Sequence, residues 1–209
     1  ALGRSVISYA APVWSPAISK SNYEHIQRAQ NEALRIATGC NKMTPIDHLH
    51  IETAILPVKA HNMLLSYQFY SNCLHDEHPN HWITGMESPS RSMKPTLKSC
   101  CERYVAEITR SLPEETSTHT VNKLIHTKAV QDALNGYTPN ILLGGYPPPV
   151  NPEEKLLHRS ARTTLTQMRS GYCTSLNGYR FRVGLSESDA CTKCGHSPED
   201  VPHALTCPS

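Results

Sequence analysis

The sequence predicts a mainly α-helical protein that ends in a small metal-binding knuckle, and three observations support this fold class. Apolar residues recur at helical spacing in several segments. These segments tend to begin at Ser, Thr, Asn or Pro and to end near Gly, which are the usual helix boundaries. The last nineteen residues contain Cys and His at metal-ligand spacing. At 209 residues the chain is long enough to bury a core.

The same observations divide the chain into four parts. We expect residues 1–75 to form a helical bundle and residues 76–150 a variable region of helix and linker. Residues 151–183 are predicted to form a basic amphipathic helical region, and residues 184–209 the knuckle.

The first part is predicted to contain a short helix that ends near Tyr9 and a longer second helix. Ser19 or Ser21 can cap the second helix, which runs to about Thr38 before Gly39 ends it. Its apolar face is predicted to pack inward and its polar face to point outward. The inward set is Ile26, Ala29, Ala33, Ile36 and Ala37, and the outward set is Lys20, Gln27, Arg28, Asn31 and Arg35.

Helices are also predicted up to residue 136. One begins at Thr44 with Pro45, and another begins after Pro57 and reaches about Leu74. Residues 75–97 are rich in Pro, Ser and His and predict a surface loop. Two more helices follow, at about 97–110 and 120–134, and the Pro-rich segment 136–150 is predicted to be a linker. The inward residues predicted for the first of these two helices are Cys101, Tyr104, Val105 and Ile108.

A basic helix is predicted to begin at Asn151 and to reach about Ser170, because a capping side chain, a proline and two acidic residues come together there. Its cations fall within about 80° of arc if each residue advances about 100°. They are Lys155, Arg159, Arg162 and Arg169, and a separate apolar face holds Leu157, Ala161, Leu165 and Met168. From Lys155 to Arg182 there are six basic residues and no acidic one. This segment is a candidate phosphate-binding surface, and the alternative is an ordinary solvated helix face.

The metal ligands are predicted from their spacing. Cys191 and Cys194 lie two residues apart with Gly195 after them, which is typical of a knuckle turn. His203 and Cys207 are about one helical turn apart and can face the same ion. Three Cys and one His make a closed tetrahedral zinc site, so we expect a structural metal and not a catalytic one. His196 is a competing ligand, and free surface thiols are the other alternative.

Other Cys and His residues give weaker indications. Four of the eight cysteines are scattered, which disfavours a disulfide framework and favours a reducing compartment, cytoplasm or nucleus. The second Cys and His cluster matches no closed metal site, and His48 and His50 are interpreted as surface or packing residues. The second cluster consists of Cys73, His75, Asp76, His78 and His81.

Several functions are disfavoured by what the sequence lacks. Its five aspartates are isolated, whereas two-metal nucleotidyl transfer requires paired carboxylates. It contains no glycine-rich phosphate loop and no serine nucleophile elbow, so this chain is not expected to be an enzyme by itself. Apolar runs are too short to predict a membrane partner. The first residue is Ala1, and we interpret the chain as a piece of a longer polypeptide.

Stretches near both ends resemble one family, the reverse transcriptases of non-LTR retrotransposons, especially jockey-like elements. The N-terminal stretches are SYAAPVWSP from Ser8, IQRAQ from Ile26 and LRIATG from Leu34. The C-terminal ones are RTTL from Arg162, MRSGY from Met168, LN from Leu176 and the Cys191, Cys194, His203, Cys207 knuckle. They occur in the order that the family has between the end of its palm and its C-terminus. Residues 75–150 carry little of the resemblance.

The resemblance implies a thumb that grips the template and primer and a tail that binds the element's RNA or target DNA. It implies the upstream palm as a partner, with Mg²⁺ needed only there, and a ribonucleoprotein found in cytoplasm and nucleus. The catalytic aspartates of the family are absent, so polymerase activity would belong to the parent protein. The expected phosphate contacts are Arg28, Arg35, Lys155, Arg159, Arg162 and Arg169, with Tyr172, Tyr179 and Phe181 stacking on bases or, as the alternative, packing in the core. The rival interpretation is a zinc-stapled module of a host protein that binds another protein.

Overall fold

A computed structural model describes residues 2–86, 94–113, 115–139 and 151–208, and these residues are mainly helical and include no strand. The predicted fold class is therefore confirmed. The α-helices in chain order are α1 (Leu2–Ser8), α2 (Ala11–Trp14), α3 (Lys20–Thr38), α4 (Ile46–Thr53), α5 (Val58–Cys73), α6 (Leu97–Thr109), α7 (Thr118–Asn135), α8 (Pro152–Leu156), α9 (Arg159–Ser170), α10 (Asn177–Arg182) and α11 (Val201–Thr206). Short 3-10 helices occupy Ser15–Ala17 and His81–Gly85. No helix in the described ranges is both long enough and apolar enough to cross a membrane.

The chain divides into two compact units. The first comprises residues 1–30 and 56–136, and the second comprises residues 31–55 and 137–209. Of the predicted linker 136–150, residues 140–150 lie outside the described part of the chain. The four-part division made from the sequence stays a prediction.

The core of the first unit is formed by α5, α6 and α7. Each helix contributes two buried side chains: Leu64 and Tyr70, Cys101 and Val105, and Val121 and Ile125. Of the residues predicted to face inward on α6, Tyr104 and Ile108 are only partly buried. Thr96 caps α6 in a reciprocal pair with Ser99, and Ser117 caps α7, so local hydroxyl groups set both helix starts.

Helix α3 has the predicted ends but not the predicted faces. Ser19 accepts a hydrogen bond from the Asn22 amide at its start, and Gly39 ends it with a φ of 75°. The buried side chains are Tyr23, Asn31 and Leu34. Four residues of the predicted inward set are exposed: Ala29, Ala33, Ile36 and Ala37.

Polar side chains explain this difference in the first unit. The Gln27 Oε1 atom accepts the amide of Val58 at 2.8 Å, and Gln30 Nε2 donates to the Leu56 carbonyl at 3.1 Å. Val58 is the first residue of α5, so its amide has no partner within its own helix. The inward orientation of Gln27 therefore satisfies a helix terminus, a requirement that apolar periodicity does not reveal.

The single basic helix predicted from Asn151 to Ser170 is wrong, because two helices occupy this segment. Asn151 caps α8 as predicted, but His158 caps α9, with its Nδ1 atom accepting the Ser160 amide at 3.3 Å. Lys155 lies on α8 and the three arginines on α9, so the predicted common stripe does not exist. The buried face of α9 is also polar and consists of Thr166, Gln167 and Ser170, whereas Ala161 is exposed.

His48 and His50 in the second unit are both buried. Of the two expected roles, surface or packing, they therefore have the packing role. His50 Nδ1 lies 2.7 Å from the Ile55 carbonyl oxygen, and its ring stacks on Tyr137. Burial lowers the pKa of His48 to about 4; a backbone hydrogen bond at Thr166 raises it, and the charge of Arg169 lowers it further. His48 is therefore neutral in the folded protein at neutral pH.

We predict that His48 makes the protein sensitive to acid. Its folded pKa lies below its ordinary value of 6.5, so its contribution to stability is complete above pH 6.5 and is lost as the pH falls towards 4. Chemical denaturation across this range should show a loss of up to about 3 kcal/mol from this group. His48→Gln should flatten the pH dependence, whereas the exposed control His119→Gln should keep it. An unchanged pH profile in His48→Gln would contradict the assignment.

Candidate metal centre and nucleic-acid interface

The four predicted ligands converge at the C-terminal end of the second unit. One ligand atom from each of Cys191, Cys194, His203 and Cys207 lies within 4.8 Å of all the others, close enough to bind one metal ion. Cys194 Sγ and His203 Nε2 are 3.2 Å apart. Cys191 is buried and the other three are partly buried. Within the described ranges, no other group of three or more Cys, His, Asp or Glu residues meets the same criterion.

The first pair of ligands is held by a backbone turn. The Gly195 amide donates to the Cys191 carbonyl at 2.9 Å, and Gly195 has the positive φ of 74° that this turn requires. The Cys191 amide in turn donates to the His196 carbonyl at 2.8 Å. The turn therefore brings the two thiols of this pair towards the same side.

The second pair lies on and just after the short helix α11. The Asp200 carboxylate caps this helix by accepting the His203 amide at 2.8 Å, and Val201 is buried beneath it. Cys207 follows the last residue of the helix. The His196 ring stacks on His203 with centroids 4.7 Å apart, and His196 is not part of the four-ligand group. His196, the competing ligand, is thus a stacking neighbour of the ligand His203.

The surroundings of the thiols favour a thiolate at Cys191. Hydrogen bonds from the backbone amides of Cys194 and Lys193, assisted by His203, lower the pKa of Cys191 to about 7. The His196 amide lowers the pKa of Cys194, but burial and the neighbouring thiols Cys207 and Cys191 outweigh it, so that pKa is raised. Three sulfurs and one imidazole nitrogen would complete a tetrahedral shell around one ion, which would leave no position open for a substrate.

The knuckle is attached to α10 by three hydrogen bonds. The Asn177 amide donates to Glu199 Oε2 at 2.8 Å, and its side-chain amide donates to the Ala190 carbonyl at 2.9 Å. The Gly178 amide donates to the Glu199 carbonyl at 3.1 Å. A Cβ atom on Gly178 would lie 2.7 Å from that carbonyl oxygen, so only glycine permits this approach. The metal cluster and α10 therefore form one local structure, which we call the knuckle module (residues 172–208).

The knuckle module presents cationic and aromatic side chains to solvent. Arg180, Phe181 and Arg182 are consecutive and exposed, and Phe181 is 50% exposed, so the core alternative for Phe181 is wrong. The Arg182 guanidinium lies 5.5 Å from the ring centroid of Tyr172, and no ion pair involves either arginine among the described residues. Tyr172 and Tyr179 are partly buried and line a small pocket with Arg182. Sequence reasoning placed the two arginines in the acid-free segment but did not include them in the predicted site.

The other predicted phosphate contacts differ in accessibility. Arg28, Lys155, Arg159 and Arg162 are exposed. Arg159 Nη2 donates to the Ile36 carbonyl at 2.9 Å, which fixes its orientation. Arg35 is half-buried, and its Nε atom is buried without a hydrogen-bond partner.

Arg169 is the predicted phosphate contact whose charge is already paired within the protein. Its Nη1 atom donates to Glu52 at 3.1 Å and to Glu154 at 3.2 Å, and its Nη2 atom makes a second bond to Glu154. These bonds raise the pKa of Arg169, the bond to Glu154 most strongly. The side chain is only 18% exposed. Glu52 is far away in the sequence, so helical spacing alone does not show that Arg169 is neutralised.

The second His and Cys cluster does not form a metal site in the described structure. His81 Nδ1 bonds the Cys73 carbonyl at 2.9 Å, and His75 Nε2 bonds the Thr118 hydroxyl at 2.9 Å. The His78 Nδ1 atom accepts the Asn80 amide at 3.1 Å. Each imidazole therefore serves a different local hydrogen bond.

Comparisons with known proteins add no family assignment. A scan of protein-family models, a search of curated proteins and a search of solved structures each found no match for this chain. The resemblance to retrotransposon reverse transcriptases therefore stays a prediction that depends on the residues quoted for it.

We predict that Gly178→Ala detaches the knuckle from α10. The added methyl group would contact the Glu199 carbonyl oxygen at 2.7 Å and displace the hydrogen bond made there. Limited proteolysis should cleave residues 184–208 faster in this variant. The matched control is Gly3→Ala, another helical glycine, where an added Cβ meets nothing within 4 Å. Equal cleavage rates in the two variants would show that the close approach does not matter.

Proposed function

We propose that this chain is the nucleic-acid-binding C-terminal part of an RNA-directed DNA polymerase of the non-LTR retrotransposon type. The observation that carries the proposal is the knuckle module, in which the metal cluster supports α10 and leaves Arg180, Phe181 and Arg182 exposed. Exposed cations beside an exposed ring suit a polyanion that also offers stacking bases. The resemblance at both ends of the chain supports the same family.

Zinc is the metal that we propose for the cluster. Sulfur and imidazole ligands favour zinc over Mg²⁺ or Ca²⁺, which prefer oxygen. A shell of four protein ligands has no open position, so the ion would be structural. Its contribution would be the folding of the knuckle, and Mg²⁺ would be needed only by the polymerase domain of the parent protein.

RNA or DNA would bind mainly through its phosphates. Arg180 and Arg182 in the knuckle module, with Arg159 and Arg162 on α9, are exposed cations of the second unit. Each phosphate that they neutralise would release a condensed counterion, so binding should weaken as salt rises. Phe181 is accessible for stacking, which tolerates any base. Binding would therefore depend little on sequence. The complex would be the ribonucleoprotein of cytoplasm and nucleus that the resemblance implies.

The chain itself would serve as a grip and not as a catalyst. Its aspartates are isolated in the sequence, so the paired carboxylates of nucleotidyl transfer would come from the upstream palm of the parent polypeptide. That palm would be the protein partner of this chain.

A second candidate function is binding of another protein through the knuckle. Leu185 and Leu205 are 69% and 66% exposed in the knuckle module, and exposed apolar side chains favour a protein partner. Contacts of this kind change little with salt, whereas phosphate contacts weaken steeply. Salt dependence therefore separates the two functions.

We predict one zinc ion per chain, bound by the four ligands. Native mass spectrometry should show one equivalent of Zn²⁺, and Cys207→Ser should lose it because serine is a poor zinc ligand at neutral pH. The control Cys100→Ser makes the same change at a partly exposed thiol outside the cluster and should keep the ion. The site would be contradicted if purified wild-type protein contained no stoichiometric zinc and its tail stayed ordered in the presence of chelator.

We predict that single-stranded RNA binding depends on α10. Reversing both charges, Arg180→Glu with Arg182→Glu, should weaken binding of a 20-nucleotide RNA at least about tenfold and reduce the slope of log K against log salt. The control pair Arg103→Glu with Arg110→Glu changes the net charge equally at exposed positions of the first unit and should have a smaller effect. Equal losses in the two pairs, or binding that salt does not weaken, would favour the protein-binding alternative.

A further inference from the structure

A cleft of about 250 Å³ opens in the second unit, away from the metal ligands. Arg159, Arg162 and Thr166 of α9 line it together with Glu52 of α4 and Glu154 of α8. The ends of α3 and α4 contribute small residues to its wall. Its size suits one base or one sugar, and its lining is polar.

The charges around the cleft leave an excess of one cation. Arg169 is not a lining residue, but it pairs with both Glu52 and Glu154 and so neutralises part of their charge. Arg159 and Arg162 add two guanidinium groups to the lining. The lining and Arg169 together hold three cations and two carboxylates, so the net charge of this group is +1. Arg162 is exposed and has no ion pair among the described residues. A phosphodiester carries one negative charge and would balance this site.

Glu52, a lining residue, carries an oxygen that lacks a hydrogen-bond donor. Its side chain is 8% exposed, and Oε1 accepts from Arg169 at 3.1 Å and from Thr166 at 3.2 Å. Oε2 is buried and has no partner. A buried carboxylate oxygen without a donor is unfavourable, so a bound molecule that supplies one would be stabilised there. Because Oε2 has no exposed surface, the Glu52 side chain must turn towards the cleft to meet that donor.

The cleft therefore offers cations for a single phosphodiester and, beside them, an acceptor that lacks a donor. This combination matches the chemistry of a nucleotide within a strand. We propose that the cleft binds one nucleotide unit of a single-stranded nucleic acid. Its phosphodiester would lie on Arg162 and Arg159, and a donor of the same nucleotide, either the ribose 2′-hydroxyl or a base N–H, would bond Glu52 Oε2. The choice of a nucleotide as the ligand rests on the proposed function. The net charge and the buried oxygen are observations that do not depend on that function.

Amide chemical shifts of the zinc-loaded chain can test this with dinucleotides. The ribodinucleotide UpU should shift the amides of Glu52, Thr163 and Thr166 in a saturable way. Arg162→Ala should weaken this binding at least about tenfold, the loss expected for one charge-assisted phosphate contact. The control Arg103→Ala removes an equally exposed helical arginine in the first unit and should bind UpU as wild type does. Glu52→Gln with an unchanged melting temperature should weaken UpU relative to inorganic phosphate, because it removes the acceptor while it raises the net charge.

Further titrations distinguish the parts of the proposal. If the deoxy dinucleotide dUpdU shifts the same amides equally, the donor is the base; if it binds much more weakly, the donor is the 2′-hydroxyl. Inorganic phosphate that binds as tightly as UpU would overturn the role of Glu52. No shift with either dinucleotide, in protein that still binds the 20-nucleotide RNA, would overturn the cleft alone. Cleft shifts in protein that does not bind the longer RNA would refute the proposed function and keep the cleft.

Discussion

Convergence of three thiols and one imidazole is the constraint on which the C-terminal end of this protein depends. Between residues 184 and 208 only Cys191 and Val201 are buried. Ordering one residue costs about 1–2 kcal/mol of backbone entropy, and two buried side chains offset little of that. Metal ligation supplies roughly 10–16 kcal/mol in small zinc modules, and much of it appears as folding free energy. The hydrogen bonds of Glu199 and Ala190 to α10 follow from this ordered knuckle. If a metal orders the knuckle, the position of α10 and of its exposed Arg180 and Arg182 would depend on ligands several residues away.

Features determined by neighbouring residues could be predicted from the sequence. Only two or three residues separate the ligands of each pair, and their convergence follows from one backbone turn and one short helix. The end of α3 at Gly39 and the starts of α6 and α7 follow from single capping residues. For the same reason His203 could be chosen over His196 as the ligand. His196 lies only two positions after Cys194 and therefore remains in the turn.

Features determined by distant residues could not be predicted. Periodicity placed Ala33 and Ile36 of α3 inward, yet the buried face carries Asn31 and Leu34. In the second unit, Gln167 donates to the Gly39 carbonyl at 2.7 Å and accepts from the Thr174 hydroxyl at 3.0 Å, so a polar residue is buried on α9. A helical wheel weights apolar side chains and contains no information on backbone groups that need a partner elsewhere. Both errors came from helices whose buried side chains include polar residues.

Charge illustrates the same difference between sequence and fold. From Lys155 to Arg182 the sequence shows six cations and no anion, which suggests a uniform basic surface. Folding brings Glu52 from α4 and Glu154 from α8 to Arg169, which is thereby removed from that surface. Arg162, Arg180 and Arg182 have no such carboxylate partner among the described residues. A polyanion gains most where the protein has not already neutralised its own cations, because an existing ion pair must be broken before a phosphate can replace it. The phosphate-binding surface proposed for this chain is therefore smaller than its basic segment. The positions of the carboxylates, and not the frequency of arginines, determine which cations belong to it.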